Sequence, residues 1–218
     1  MSANRLMITQ IWFDFGNVFI PVHPHLTQEA LEHCGVQMKP EQFEVLAQEY
    51  ERGEVSTKEF FQALTASCKF LQSSRCTTRA WNALLDELND HTLFLKKLAE
   101  DFSLALVSNT NVAHIDHIKQ ESGPFLWNTF TEKFDALFLS YEMGCRKPDT
   151  EYYDRVLEAM GALPEEVLFI DDTQANLDTA AEMGMHTWLF NTQDGDLERE
   201  LPAVLTKLNE RTASSAGM

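Results

Sequence analysis

Positive charge is scarce in this sequence: 17 lysines and arginines face 34 aspartates and glutamates across 218 residues, a formal net charge of −17. A polyanion would approach against that mean field, so nucleic acid and anionic membrane surfaces are not expected partners. An anionic substrate must instead meet a locally positive pocket. Cysteine is sparse too. Cys34, Cys68, Cys76 and Cys145 have neither the close pairs of a metal site nor the density of a disulfide scaffold, so a reducing, cytoplasmic setting is expected. No apolar run approaches membrane-spanning length, and the one near the N-terminus is interrupted by Asp14 and lacks a small-residue cleavage site. Internal repeats and low-complexity tracts are absent. What is present is a hydrophobic fraction of 44%, enough for a well-filled core with a smaller inserted domain.

The most informative stretch is residues 8–18. An apolar, β-branched and aromatic run (Ile8, Ile11, Trp12, Phe13) stops at Asp14, and Gly16 and Asn17 then break the pattern. This reads as a buried strand delivering one carboxylate into a turn. An acid there is costly unless a cation or hydrogen-bond donors lie close by.

Residues 19–24 form a proline-punctuated connection rather than a helix. From 25 to 90 the periodicity is helical, with helices expected at 26–34, 40–51, 57–70 and 78–88, and no strand candidate intervenes. Ser56-Thr57-Lys58-Glu59 carries a helix-start pattern. After a helix at 91–100 an α/β rhythm resumes. Strands are expected at 103–109, 136–140, 167–170 and 186–190, and helices at 111–121, 150–160, 174–183 and 196–210. An irregular aromatic segment (Phe125, Trp127, Phe130, Phe134) separates two of them, and residues 212–218 form a polar, disordered tail. Alternating strands and helices imply a Rossmann-like, doubly wound parallel sheet with an inserted all-helical domain. The division is 1–20 with 91–218 for the α/β core and 21–90 for the insert. In such a sheet Asp14, Ser108, Lys147, Asp171 and Asp172 all lie at or just beyond strand ends and open on one crevice.

Four short stretches then resemble, in order and spacing, the motifs of the haloacid dehalogenase-like hydrolase superfamily. They are Phe-Asp-Phe-Gly-Asn-Val at 13–18, Ser108-Asn109-Thr110, Gly-Cys-Arg-Lys-Pro-Asp at 144–149, and Phe-Ile-Asp-Asp-Thr-Gln-Ala-Asn at 169–176. Any one alone would be weak; four on the right strand ends are specific. The helical insert is similar to the superfamily's small helical cap, and the wording around Asp14 to its bacterial sugar-phosphate phosphatase branch. The resemblance implies that Asp14 is the nucleophile, giving an aspartyl-phosphate, and that Lys147 neutralises developing charge. It implies that Ser108 and Asn109 help bind the phosphoryl group. It also implies a Mg2+ ion held by Asp14, the Gly16 carbonyl and Asp172, with Asp171 and Asn176 nearby. Read singly, Ser108-Asn109-Thr110 or Asp172-Thr173 would be an ordinary helix cap, and Lys147 a solvated lysine before a proline.

One position departs from the superfamily's commonest pattern. Two residues after the nucleophile most of its phosphatases carry a second aspartate as general acid; here Gly16 stands there. The missing proton donor is worth about 10²- to 10⁴-fold in rate. A substrate hydroxyl, a bound water, or His23 or His25 would have to serve instead. The expected function is a Mg2+-dependent phosphatase acting on a small phosphorylated metabolite, such as a sugar phosphate. A non-catalytic descendant that binds a phosphorylated ligand is the alternative, and a 2-haloacid dehalogenase, which needs no metal, is the third reading.

Overall fold

The computed structural model describes residues 8–215. Strand β1 (Gln10–Phe13) is followed by four helices, α1 (Pro24–His33), α2 (Pro40–Glu51), α3 (Thr57–Ala66) and α4 (Ser74–Trp81). The chain continues through α5 (Thr92–Leu98), β2 (Ser103–Ser108), α6 (Val112–Thr131), β3 (Ala136–Leu139), α7 (Ser140–Met143), α8 (Thr150–Met160), β4 (Val167–Asp171), α9 (Gln174–Glu182), β5 (His186–Leu189) and α10 (Leu197–Ser215). The strands form one five-stranded parallel sheet in the order β3-β2-β1-β4-β5.

β1 lies at the centre because all four of its side chains are buried, two on each face. Ile11 and Phe13 join Leu104, Leu106, Leu168 and Ile170 under α5, α6 and α10. Trp12 packs on the opposite face with Val107, Phe169, Tyr152, Tyr153 and Leu177, beneath α8 and α9. Each such side chain contributes about 1.5–3 kcal/mol by leaving water, which is why the central strands read as continuous apolar runs. The register Phe13 to Leu106 and Ile170 brings the ends of β1, β2 and β4 level. The next residue on β1 is Asp14, whose N–H donates to the Ile170 carbonyl.

Helices α1 to α4 form a separate apolar cluster, built on Leu31, Tyr50, Phe60, Phe61, Leu64 and Trp81. The Ser56–Glu59 capping box starts α3 as the sequence suggests. Two antiparallel connections join this insert to the sheet. His23 N–H donates to Leu84 O and Asp86 N–H to Pro21 O, with a bridge between Val22 and Leu85.

Several expectations need correction. The helix expected at 78–88 ends at Trp81; after one short turn at 82–84 the backbone extends, because Leu85 is used in that bridge and Leu88 is buried in the sheet-side core. The helix expected to reach residue 70 stops at Ala66, where Cys68 bridges to Val36. The aromatic segment is not irregular. α6 resumes beyond Gly123, whose φ of 74° and ψ of 156° redirect the axis before Pro124 and carry Trp127 and Phe130 onto Phe15 and Phe19. Gly123-Pro124 disguised this by breaking the periodicity. α10 runs to Ser215, and the rest of the expected disordered tail lies outside the described residues. Cys34 and Cys76 form a disulfide between α1 and α4 across a separation of 42 residues, so sparse cysteines do not argue for a reducing compartment here. Among the described residues no helix is long and apolar enough to cross a membrane.

Candidate active site

The carboxyl ends of β1, β2 and β4 open into a cavity of about 320 Å3. Asp14, Gly16, Ser108, Asn109, Lys147, Asp172 and Asn176 line it, together with Glu51 from the insert. The side chains singled out in the sequence therefore converge, with Asp171 directly behind them.

Lys147 is the pivot. Its side chain is 1% exposed, and Nζ donates to Asp14 Oδ1 at 2.8 Å, Asp171 Oδ2 at 2.6 Å and the Val107 carbonyl at 2.8 Å. All three ammonium donors are thus satisfied without water. Burial alone would push this ammonium down, but the two carboxylates outweigh it and hold its pKa above the usual lysine value. Burial pushes the Asp14 carboxyl up to about 7; Lys147 opposes the rise, while Asp171 and then Asp172 add to it.

Each carboxylate is aimed by its neighbours. Asp171 Oδ1 accepts from Thr173 N–H, and Asn176 Nδ2 reaches both Asp171 oxygens at 3.0 Å. The Tyr153 hydroxyl in turn donates to the Asn176 carbonyl. Asp172 Oδ2 accepts from Asn17 Nδ2 at 2.8 Å. Asn17 sits at φ 53° and fastens the turn, its Oδ1 accepting from Val22 N–H and Gln193 Nε2. Ligand oxygens of Asp14, Asp171 and Asp172 lie within 4.8 Å of one another. Three carboxylates against one ammonium leave excess negative charge at the floor of the cavity. An all-oxygen donor set of this kind suits a hard divalent cation such as Mg2+.

Asn109, expected to help bind the phosphoryl group, lines the cavity and also acts on the chain itself. Its Oδ1 accepts from Lys147 N–H and its Nδ2 donates to Lys147 O, clamping that residue from both sides. Ser140 exchanges two hydrogen bonds with the Thr110 backbone and closes the same turn. His23 pairs with Asp86, and His25 is exposed; neither lines the cavity. A Cβ on Gly16 would lie 3.2 Å from Val22 Cγ2.

Sequence reading assigned no role to Glu51, His114 and Arg146, which also line the cavity. Arg146 Nε donates to Glu51 Oε2 at 3.0 Å, joining the end of α2 to the loop that carries Lys147. Burial raises the Glu51 pKa and Arg146 opposes it. His114 stacks on Trp81, and burial depresses its pKa to about 4, so the ring is neutral. Only the run Arg146-Lys147 hinted at any of this, since neighbouring cations in an acidic chain need separate partners.

The chain is similar to known proteins. A D-ribitol-5-phosphate phosphatase of Bacteroides thetaiotaomicron is 27% identical over 206 residues, 91% of this chain and 99% of its own. The structure of a haloacid dehalogenase family enzyme from the same organism, in complex with magnesium and inorganic phosphate, superposes with a TM-score of 0.74 at 30% identity, covering 83% of this chain and 93% of that one. A predicted haloacid dehalogenase-like hydrolase from Porphyromonas gingivalis gives 0.76 at 28% identity, covering 93% and 98%. The family model for haloacid dehalogenase-like hydrolases matches residues 10–184, and the chain belongs to that family.

Proposed function

We propose that this protein is a Mg2+-dependent phosphatase that hydrolyses a small phosphomonoester through an aspartyl-phosphate on Asp14. The observation that carries the reading is the Asp14–Lys147–Asp171 triad at the sheet edge, with Asp172 beside it: a buried ammonium bridging two strand-end carboxylates, within reach of a third. Such a cluster costs stability, and a nucleophile that must meet a phosphoryl group explains its retention.

In this mechanism Asp14 attacks phosphorus, the ester P–O bond breaks, and the alcohol departs with a proton drawn from solvent or from a substrate hydroxyl. Water then hydrolyses the aspartyl-phosphate. Lys147 orients Asp14 and balances charge on the transferring group. Ser108 and the backbone N–H groups opening α6 receive the phosphoryl oxygens. Asp14, the Gly16 carbonyl and Asp172 would hold Mg2+, with Asp171 fixed behind them by Thr173 and Asn176; bound there, the ion would neutralise phosphoryl charge. Residues 21–90 act as a cap that closes over the crevice and excludes water.

The Mg2+ and phosphate bound by the family enzyme of Bacteroides thetaiotaomicron support this reading, as does the similarity to a ribitol phosphate phosphatase. A dehalogenase would leave the Asp171-Asp172 pair without a task. The test is phosphate release from p-nitrophenyl phosphate and a panel of phosphorylated metabolites. Turnover is expected with Mg2+, should vanish with chelator and should be abolished in Asp14→Asn. Equal turnover by the variant would overturn the nucleophile.

A further inference from the structure

The proposed chemistry does not use the Glu51–Arg146 pair, yet both side chains line the reaction cavity. The backbone beside Arg146 is anchored, because Asn109 accepts the N–H of the peptide that joins it to Lys147. Its guanidinium contributes only Nε to Glu51. Among the described residues none accepts a hydrogen bond from Nη1 or Nη2, and none donates to Glu51 Oε1. The pair therefore offers unused donors beside an unused acceptor, about one-fifth exposed on each side. A hydroxyl is both donor and acceptor, so two adjacent hydroxyls match that edge: one oxygen accepts from Arg146 and the other O–H donates to Glu51.

The rest of the cavity sharpens the match. Ile20, Val22, Leu84, Leu85 and Ile118 make an apolar wall that satisfies no hydroxyl. His114 is already engaged by Asn111 and the Trp81 carbonyl. At about 320 Å3 the space lies at the small end of ligand pockets and favours a short substrate.

Resting on the phosphatase reading above, we infer that Arg146 and Glu51 read a vicinal diol on the leaving alcohol and so select short polyhydroxylated phosphomonoesters. Since Glu51 ends an insert helix while Arg146 adjoins Lys147, the diol would bind both sides of the crevice at once.

Two five-carbon esters that differ only in hydroxyl groups, D-ribitol 5-phosphate and n-pentyl phosphate, test this, with p-nitrophenyl phosphate as the activity control. The wild-type protein should show at least tenfold higher kcat/KM on the ribitol ester. Arg146→Gln and Glu51→Gln should each cut that ratio about tenfold, mainly through KM. Arg146→Lys keeps the charge but loses the paired donors, and should reduce the ratio similarly even if Arg146→Gln fails to fold. Equal losses on both esters would mean that the pair only latches the insert, and would overturn the inference. Turnover of p-nitrophenyl phosphate without preference for the ribitol ester would overturn it while sparing the phosphatase reading. No turnover of any of the three would overturn both.

Discussion

Two buried polar clusters lie close together in this protein and are satisfied by opposite means. At the sheet edge Lys147, Asp14 and Asp171 are held by charge. Where the insert meets α6, Trp81, Asn111 and His114 are held by neutral hydrogen bonds and ring stacking. Asn111 Oδ1 faces the Trp81 Nε1–H and the His114 backbone N–H, so its Nδ2 points at His114 Nδ1, which must accept. His114 Nε2 is then left as the donor toward the Trp81 carbonyl, 3.4 Å away. A neutral cluster of this kind joins two parts of a fold at little cost. The charged one is expensive to bury, and chemistry is what retains it.

The contrast is broken most directly at Lys147. Lys147→Met leaves Asp14 and Asp171 buried without their cation, and should lower unfolding stability by about 3–5 kcal/mol while removing detectable phosphatase activity. Urea denaturation and phosphate release measure the two effects. Unchanged stability would show that the carboxylates take up protons at no cost, and that charge does not hold the cluster.

The insert has a covalent support that the sheet edge lacks. Closing a loop across the 42-residue separation of Cys34 and Cys76 stabilises by up to about 4 kcal/mol in a chain-entropy description. Cys34→Ser should lower the melting temperature under oxidising conditions and make it insensitive to reductant. If the wild-type melting temperature also ignores reductant, the apolar cluster around Tyr50 and Trp81 carries the insert alone.

What the sequence revealed and what it hid follow from the range of the interactions. Asp14, Ser108 and the Asp171-Asp172 pair were legible because a buried strand ending in a polar residue is a local pattern. Their convergence followed from parallel topology. Partnerships across long separations were not legible: Asn17 with Asp172, Asn109 with Lys147, and Glu51 with Arg146 lie 155, 38 and 95 residues apart. Nothing near Asn109 in the sequence says that its side-chain amide faces a peptide. Cys34 and Cys76 gave no signal for the same reason. The second half of α6 was hidden by a local signal that misled, since Gly123-Pro124 ordinarily ends a helix.

The neutral cluster makes a smaller prediction, in pH. The unfolded chain protonates a histidine near 6.5, whereas buried His114 does so only near 4. The folded pKa is depressed, so this contribution to stability is complete above pH 6.5 and is lost as pH falls toward 4. The difference is about 3 kcal/mol at 1.36 kcal/mol per pH unit. His114→Phe keeps an aromatic ring against Trp81 and removes the titrating group. Chemical denaturation of both proteins from pH 7.5 to 4 should show a shallower decline for the variant. Parallel curves would mean that His114 already escapes to solvent in the folded state.

The smallest effect concerns Gly16, where the charged cluster lacks a proton donor. An added Cβ there meets Val22 Cγ2 at 3.2 Å, so Val22 must yield by a few tenths of an ångström. A fourth carboxylate would also join Asp171 and Asp172, which, with burial, already raise the Asp14 carboxyl. That crowding raises the carboxyl pKa, and a general acid must still carry its proton near neutral pH. Gly16→Asp with Val22→Ala to relieve the contact should therefore speed cleavage of esters with poor leaving groups several-fold, and leave p-nitrophenyl phosphate, whose leaving group needs no proton, nearly unchanged. If the single variant loses activity on all esters and the double variant recovers it, the contact with Val22 is the obstacle. If the double variant fails as well, the cluster cannot accept more negative charge, and the glycine is there for electrostatic reasons rather than for room.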